Sequence, residues 1–181
     1  MAVKLRVSVE EYLALPEHEK PYREYRDGDV TPIAIGDMRQ SFLVGELLAR
    51  IYHFPPSSSG CGGPYVRHEF LGATGPAFLI PDISYFAPDV PRRGIRAALP
   101  PALAIEVVSP DDTVAQQRKK CRFYRDNGVE AAWLFDPNTR IMEVFEGAVD
   151  GTVLRESDLF ASTVLAGFEL QLSELFDVLD A

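Results

Sequence analysis

Two acidic residues interrupt apolar segments of the chain in the same way. Asp82 lies within FLIPDISYF, residues 78–86, and Glu106 lies within LAIEVVS, residues 103–109. Both segments are rich in the aliphatic and aromatic residues that favour a buried strand. An unpaired carboxylate is costly to bury, so each of these acids needs a compensating partner. The two acids are therefore the first candidates for chemistry.

The spacing of the two acids allows them to meet. They are 24 residues apart, and if their strands pair, both side chains can reach one face of the sheet. Two carboxylates brought together raise each other's pKa unless a cation compensates them. A divalent metal ion is the simplest such cation, and oxygen ligands with room for water suit Mg²⁺ or Mn²⁺ rather than zinc.

A basic helix is predicted directly after Glu106. The pattern of residues 113–127 is helical, and a stripe along it is expected to face the sheet: Val114, Cys121 and Tyr124. Lys120 lies at the edge of this stripe, where its ammonium can reach Glu106, whereas Lys119 is expected in solvent. A metal held by two carboxylates, with a lysine beside an activated water, can attack a phosphodiester.

Simpler structural explanations stay open for the same residues. Asp82 could cap a turn or pair with an arginine, and Glu106 with Lys120 could be a plain buried ion pair. Ser109 could act as a nucleophile, but no histidine follows it in the chain. The three histidines lack metal-ligand spacing and are expected at the surface or at helix ends: His18, His53 and His68.

The remaining pattern predicts one domain over residues 1–181, of the α/β or α+β class, with a mixed central sheet flanked by helices. A capping box at Ser8 opens a short N-terminal helix, and Asp27-Gly28 forms the turn of a hairpin. Further predicted helices are Met38 to Phe54 and Leu172 to Leu179, and further predicted strands are Tyr65 to Leu71, AAWLFD and IMEVFE.

Composition limits the possible classes of protein. No apolar run approaches the roughly 20 residues of a membrane span, and the N-terminus has no apolar core of a signal peptide. Two cysteines are too few for a disulfide framework, which favours a cytoplasmic location. The net charge of −9 argues against a general nucleic-acid coat protein.

The charge is unevenly distributed. Residues 92–125 contain three acids against eight basic residues, which are Arg92, Arg93, Arg96, Arg118, Lys119, Lys120, Arg122 and Arg125. We call residues 92–125 the basic segment. It could contact phosphates, or it could be a solvated helix face joined to an arginine-containing loop.

The order of these motifs resembles that of the PD-(D/E)XK nuclease superfamily. Pro81-Asp82 is followed by Glu106-Val107-Val108 and then by a lysine on the next helix. Within the superfamily the chain is similar to the bacterial Uma-type endonuclease family, in which the lysine has moved from the strand position, here Val108, to the helix. The similarity covers nearly the whole chain, through SVEEYLALPE, EYRDGDV, IPDISYF, AIEVVSPDD, KKCRFYRDNGVEAAWLFDP and GFELQLSELF.

The resemblance implies a restriction-endonuclease-like fold and a role for each matching residue. Asp82, Glu106 and the Val107 carbonyl would hold Mg²⁺ or Mn²⁺. Lys120 would orient and help deprotonate the attacking water. Glu24 would lie near the metal, where it could bind a second ion or a metal-bound water.

Two residues depart from the family pattern. Gln40 stands where a histidine is common, and Gln116 stands where an acid or an asparagine is common. Together with the two acids and the lysine, the resemblance implies a metal-dependent endonuclease acting on DNA as a homodimer, with no membrane partner. Two alternatives remain: a silent nucleic-acid-binding or regulatory module on the same fold, and a metal-dependent hydrolase of a small phosphorylated substrate.

Overall fold

The computed structural model describes residues 6–16, 22–33, 36–54, 61–62, 68–72, 75–86, 90, 97, 99–148 and 151–180. Within these ranges the helices are α1 Val9–Leu13, α2 Met38–His53, α3 Val114–Asp126 and α4 Leu172–Phe176, which continues as a 3₁₀ turn, Asp177–Leu179. The strands are β1 Arg23–Arg26, β2 Asp29–Pro32, β3 Cys61–Gly62, β4 His68–Gly72, β5 Gly75–Leu79, β6 Ile83–Tyr85, β7 Leu103–Val107, β8 Ala131–Asp136, β9 Ile141–Glu146, β10 Thr152–Arg155, β11 Leu159–Ala161 and β12 Glu169–Gln171.

A mixed six-stranded sheet forms the centre of the described fold. Its strand order is β10-β9-β8-β7-β6-β3, and β7 pairs with β8 in parallel while its other pairs are antiparallel. The parallel pair needs a crossover, and α3 supplies it between β7 and β8. The predicted mixed central sheet with flanking helices is confirmed.

A second sheet of four strands carries the N-terminal hairpin. Its order is β2-β1-β5-β4, and the β1–β2 turn is formed by Asp27 and Gly28, both with positive φ. The aromatic rings of Tyr12, Tyr25 and Phe78 pack together beneath it and join α1, β1 and β5. The predicted N-terminal helix and hairpin are therefore present, with α1 two residues shorter than the predicted end at Leu15.

Strand alternation separates the central sheet into two packed faces. On β7 and β8 the odd-numbered residues, including Trp133, pack with α2 and α4. The even-numbered apolar residues pack with Cys121 and Tyr124 of α3 on the other face. Glu106 has even parity on β7, so the same alternation directs its side chain toward α3.

The segment FLIPDISYF differs from the predicted single strand. It divides into β5 and β6, which belong to the two different sheets, with Ile80–Asp82 as the connection between them. Pro81 has no N–H to donate to a ladder, so the hydrogen bonding changes sheet at this point. Asp82 therefore lies at a break between strands and not in the middle of one.

His68 was expected at the surface, and that expectation is wrong. It is fully buried, its Nε2 lies 2.7 Å from Ser84 Oγ, and its ring stacks on Phe70 and Phe86. Burial lowers the pKa of His68 from 6.5 to about 4. His53 is exposed at the end of α2, as predicted, and His18 lies outside the described residues.

The buried His68 predicts a specific dependence of stability on pH. Its folded-state pKa lies below the unfolded value, so between pH 6.5 and about 4 the unfolded chain binds a proton that the folded protein excludes. The free energy of unfolding should therefore fall through this window as the pH falls, by up to about 3 kcal/mol from this group. Urea unfolding of the wild type and of His68→Gln at several pH values measures the effect. Equal slopes in the two proteins would contradict this assignment.

Candidate active site

The pairing of β6 with β7 brings the two predicted acids together. Ile83 pairs with Ile105, so the antiparallel register sets Asp82 opposite Glu106. Asp82 Oδ2 accepts a 2.7 Å hydrogen bond from the Val107 N–H. This bond fixes the carboxylate of Asp82 at the end of β7, beside the Val107 carbonyl.

Glu106 is held from the side of α3. Only 3% of the residue is exposed. Its Oε1 accepts a 2.6 Å hydrogen bond from the Tyr124 hydroxyl and lies 2.9 Å from Lys120 Nζ. Because both supports engage the same oxygen, Oε2 is the atom that neither support occupies.

Lys120 contacts acceptors from three parts of the chain. Its ammonium lies 2.8 Å from Glu24 Oε1, 2.9 Å from Glu106 Oε1 and 3.2 Å from the Ile80 carbonyl oxygen. These three contacts match the three donors of an ammonium group. Lys119, the next residue on α3, is exposed as predicted.

Glu24 joins the hairpin to this arrangement. Besides contacting Lys120, its Oε1 accepts a 2.8 Å hydrogen bond from the Ile80 N–H. Glu24 therefore supports the Ile80–Asp82 connection and the lysine at the same time. The structure brings together all four predicted side chains: Glu24, Asp82, Glu106 and Lys120.

Burial raises the pKa of both acids. The pKa of Asp82 is raised by desolvation, against the hydrogen bond from Val107. Desolvation also raises the pKa of Glu106 to about 8, against the charge of Lys120, while Asp82 and Glu24 add to the rise. One lysine therefore does not compensate the nearby acids, and a further cation would favour their charged forms.

For Lys120, the neighbouring charges together have a larger effect on the pKa than burial has. Burial alone would lower its pKa, but the charges of Glu106 and Glu24 outweigh burial and raise the pKa well above the ordinary value. The side chain is therefore a permanent cation at neutral pH. This favours an electrostatic role over the predicted help in deprotonating a water.

Gln40 lies at the oxygens that would hold an ion. Its Nε2 donates to the Val107 carbonyl at 3.0 Å and lies 3.4 Å from each carboxylate oxygen of Asp82. Its Oε1 points at Gly36, where a Cβ would lie only 1.9 Å from it. The absence of a side chain at position 36 thus permits this placement of the amide.

The donor set suits one kind of ion. Two carboxylates and a backbone carbonyl are hard oxygen ligands, and Mg²⁺ commonly takes one or two carboxylates and keeps several waters. Within the described ranges, no three His, Cys, Asp or Glu side chains are grouped as a metal-ligand cluster. The two carboxylates and the carbonyl therefore fit a divalent cation that takes hard oxygen ligands and keeps part of its water.

A cavity of about 350 Å³ opens over this centre. Its basic lining residues are Arg26 and Lys120, and its acids are Glu24, Asp27, Asp29, Asp82, Glu106 and Asp112. Gln40, Gln116 and Gln117 complete much of the polar lining. The cavity is therefore acidic, and bound cations would lower the repulsion of a phosphate.

The described part of the basic segment is largely engaged within the protein. Arg118 pairs with the buried Glu143, Lys120 binds the central acids, and Arg125 donates to backbone carbonyls. Lys119 is exposed. Arg92, Arg93 and Arg96 lie outside the described residues, so the segment is not established as a phosphate-binding surface.

The support that Tyr124 gives to the site was not predicted from the sequence. Tyr124 was expected only in the stripe that faces the sheet, and it is indeed fully buried there. Its position one helical turn after Lys120 was the available signal, because residues four apart share a helix face. Gln116 is one of the two residues that depart from the family pattern. Its side chain forms the capping box of α3 with Thr113, so it stabilises the start of this helix.

Two comparisons found known proteins that are similar to this chain. A family model named Uma2 and described as "Putative restriction endonuclease" matches residues 9–173. The structure is similar to that of a "putative nuclease belonging to DUF820" from Anabaena variabilis, with a TM-score of 0.83 and 23% identity over 98% of this chain and 99% of that one. This similarity confirms the restriction-endonuclease-like fold. No relative was found among curated proteins.

In the part of the chain that the structure describes, no helix combines the length and the apolar character needed to cross a membrane.

The support from Tyr124 predicts a measurable effect on metal binding. Tyr124→Phe removes the hydroxyl that orients Glu106, and loss of such a supporting hydrogen bond typically lowers metal affinity by about 10–100-fold. Isothermal titration with Mn²⁺ measures this change, with Tyr52→Phe as a matched control because Tyr52 is 67% exposed on α2. Equal Mn²⁺ affinity in Tyr124→Phe and the wild type would show that Tyr124 does not support a metal ligand.

Proposed function

Because this chain belongs to the Uma2 family, whose members are described as putative restriction endonucleases, we propose that it is a divalent-metal-dependent nuclease that hydrolyses DNA phosphodiesters. The observation that supports this most is the set of contacts around Lys120. One mostly buried cation joins Glu106 of the central sheet to Glu24 of the hairpin, in the cavity that Asp82 also lines. If Lys120 and Glu106 formed only a structural ion pair, the fold would not need a further acid, Asp82, in the same cavity.

The protein residues have distinct roles in this proposal. Asp82, Glu106 and the Val107 carbonyl would hold Mg²⁺ or Mn²⁺. When bound, such an ion polarises a phosphoryl oxygen and makes a bound water more acidic. Tyr124 holds Glu106 in place, and the Val107 N–H holds Asp82. Glu24 pairs with Lys120 and accepts a hydrogen bond from the Ile80 N–H, and it would bind a second ion or a metal-bound water.

Lys120 would act on the substrate as a fixed positive charge. Its ammonium can stabilise negative charge that develops on the phosphate. All three of its donors have protein acceptors, so a substrate oxygen must replace one of them. The contact with the Ile80 carbonyl is the longest, at 3.2 Å, and involves no charged acceptor, so it is the one that we expect to be exchanged.

Gln40 supports a competing proposal, a silent module on the same fold. Its amide already donates to the Val107 carbonyl and approaches both oxygens of Asp82. In the nuclease proposal this amide must turn or withdraw when an ion binds. In the silent module it would stay, and the acids would remain compensated only by protein groups.

We propose that residues 1–181 act as one domain, because the candidate site takes Glu24 from one sheet and Glu106 from the other. We also propose a cytoplasmic homodimer. Two sites would serve two DNA strands, and three exposed apolar side chains share one side of α2: Met38, Phe42 and Tyr52. Light scattering measures the oligomeric state directly.

The nuclease proposal predicts that Asp82→Asn abolishes cleavage. The change keeps the size of the side chain but removes the charge that a divalent ion needs. Cleavage of single- and double-stranded DNA in Mn²⁺ should be lost, while any DNA binding should persist and weaken steeply with added salt. A gel assay of cleavage and an anisotropy titration of binding measure the two effects.

The same assays separate the alternatives. A silent binder would give a wild type and an Asp82→Asn variant that both bind and do not cut. A hydrolase of small phosphorylated substrates would show no salt-sensitive DNA binding. Either result would contradict the proposed DNA nuclease.

Adjacent lysines on α3 provide a second test with a built-in control. Lys120→Ala removes the buried cation and should lower the cleavage rate on the order of 100-fold or more. Lys119→Ala removes an exposed charge and should leave the rate near that of the wild type. Single-turnover cleavage of a labelled oligonucleotide measures both rates. Equal losses in the two variants would show that the contacts of Lys120 have no special role.

A further inference from the structure

Gln117 carries a buried polar atom that the fold leaves without a partner. The residue is only 7% exposed, and in the part of the chain that the structure describes its Oε1 accepts no hydrogen bond. Gln116 beside it does have its side-chain oxygen engaged, by the backbone and hydroxyl of Thr113. An unpaired buried amide oxygen lowers stability, because it has lost its contact with water and gained nothing in return.

The position of this atom connects it to the candidate active site. Gln117 precedes Lys120 by three residues on α3, so the two side chains share one side of the helix. Both line the cavity that also contains Asp82 and Glu106. His68 Nδ1 is also buried and unpaired, but His68 does not line this cavity.

The chemistry of the unpaired atom selects the kind of group that it can bind. An amide oxygen accepts hydrogen bonds and does not donate them. Phosphodiester oxygens are also acceptors, so they cannot satisfy it. In a nucleic acid the available donors are the amino and imino groups of the bases and, in RNA, the 2′-hydroxyl.

We propose that Gln117 is a specificity-determining residue that accepts a hydrogen bond from the nucleotide next to the reacting phosphate. This inference rests on the proposed nuclease function and adds to it a contact that reads the nucleotide. The donor is a base edge or a ribose hydroxyl. The unsatisfied amide then has a physical explanation, since its partner arrives with the substrate.

The test replaces Gln117 with methionine, which has a similar size and shape but no amide. Ala115→Met is the matched control, because Ala115 is exposed on the same helix. If the amide oxygen is unpaired before substrate binds, Gln117→Met should raise the melting temperature by about 2–4 °C. The control should not change it. A lower melting temperature for Gln117→Met would show that the fold already satisfies the amide, and would overturn the proposal.

Binding and cleavage then identify the donor. Dissociation constants are measured by anisotropy in EDTA for oligo(dA), oligo(dC), oligo(dT), abasic DNA and RNA, and cleavage of the same molecules is measured in Mn²⁺. Affinity that falls about tenfold in Gln117→Met for base-containing DNA but not for abasic DNA indicates a base edge. A fall confined to RNA indicates the 2′-hydroxyl.

The remaining outcomes overturn the proposal. An equal loss on every molecule, including abasic DNA, would show that Gln117 does not read the nucleotide. Unchanged affinity and cleavage in Gln117→Met, with an active wild type, would overturn this inference and leave the nuclease function intact. A wild type that neither binds nor cuts any nucleic acid would instead overturn the nuclease function, and this inference with it.

Discussion

The contacts of the Lys120 ammonium, whose side chain is mostly buried, are the interactions on which the arrangement of the site depends. The ammonium contacts one carboxylate from each of the two larger sheets, Glu24 and Glu106, and it also contacts the chain between them at Ile80. Removing one partner of a buried ion pair typically costs about 3–5 kcal/mol, because the remaining charge is left uncompensated. The lysine is therefore a structural requirement of the site as well as a candidate for its chemistry.

The connection between β5 and β6 has a comparable importance. It moves the chain from one sheet to the other within three residues, Ile80–Asp82. Both backbone groups of its first residue, Ile80, are used: the N–H donates to Glu24, and the carbonyl oxygen accepts from Lys120. Asp82 follows at once and is fixed by the Val107 N–H. A break in strand pairing thus supplies the backbone groups that hold Glu24 and Lys120, and it places Asp82 beside β7.

Much of the fold could be predicted because its signals are local. The capping box at Thr113 sets the start of α3, and the helical period then separates Lys120 from Lys119. The turn at Asp27-Gly28 and the apolar run of AAWLFD likewise identify their elements without reference to the rest of the chain. The closing helix was also found, although the structure ends its α-helical part at Phe176.

The features that were missed depend on contacts between distant residues. FLIPDISYF has strand-like residues on both sides of Asp82, so its sequence does not reveal that its two halves belong to different sheets. The burial of His68 follows from Ser84 and Phe86, which lie at least 16 positions away. The role of Tyr124 follows from Glu106 in the same way, because the period of a helix identifies its buried face but not the partner of a hydroxyl there.

The attachment of the hairpin has a consequence for the dynamics of the protein. Strand β1 pairs with β5 at Tyr25 and Phe78, and a small aromatic group packs beneath it, whereas the central sheet is held by two larger cores. Local opening requires less free energy where fewer apolar groups are buried, so the hairpin can open while the central sheet stays folded. Each opening would remove Glu24 from Lys120. The hairpin thus sets the fraction of time for which Lys120 contacts both Glu24 and Glu106. Hydrogen exchange at β1 measures this fraction separately from global unfolding.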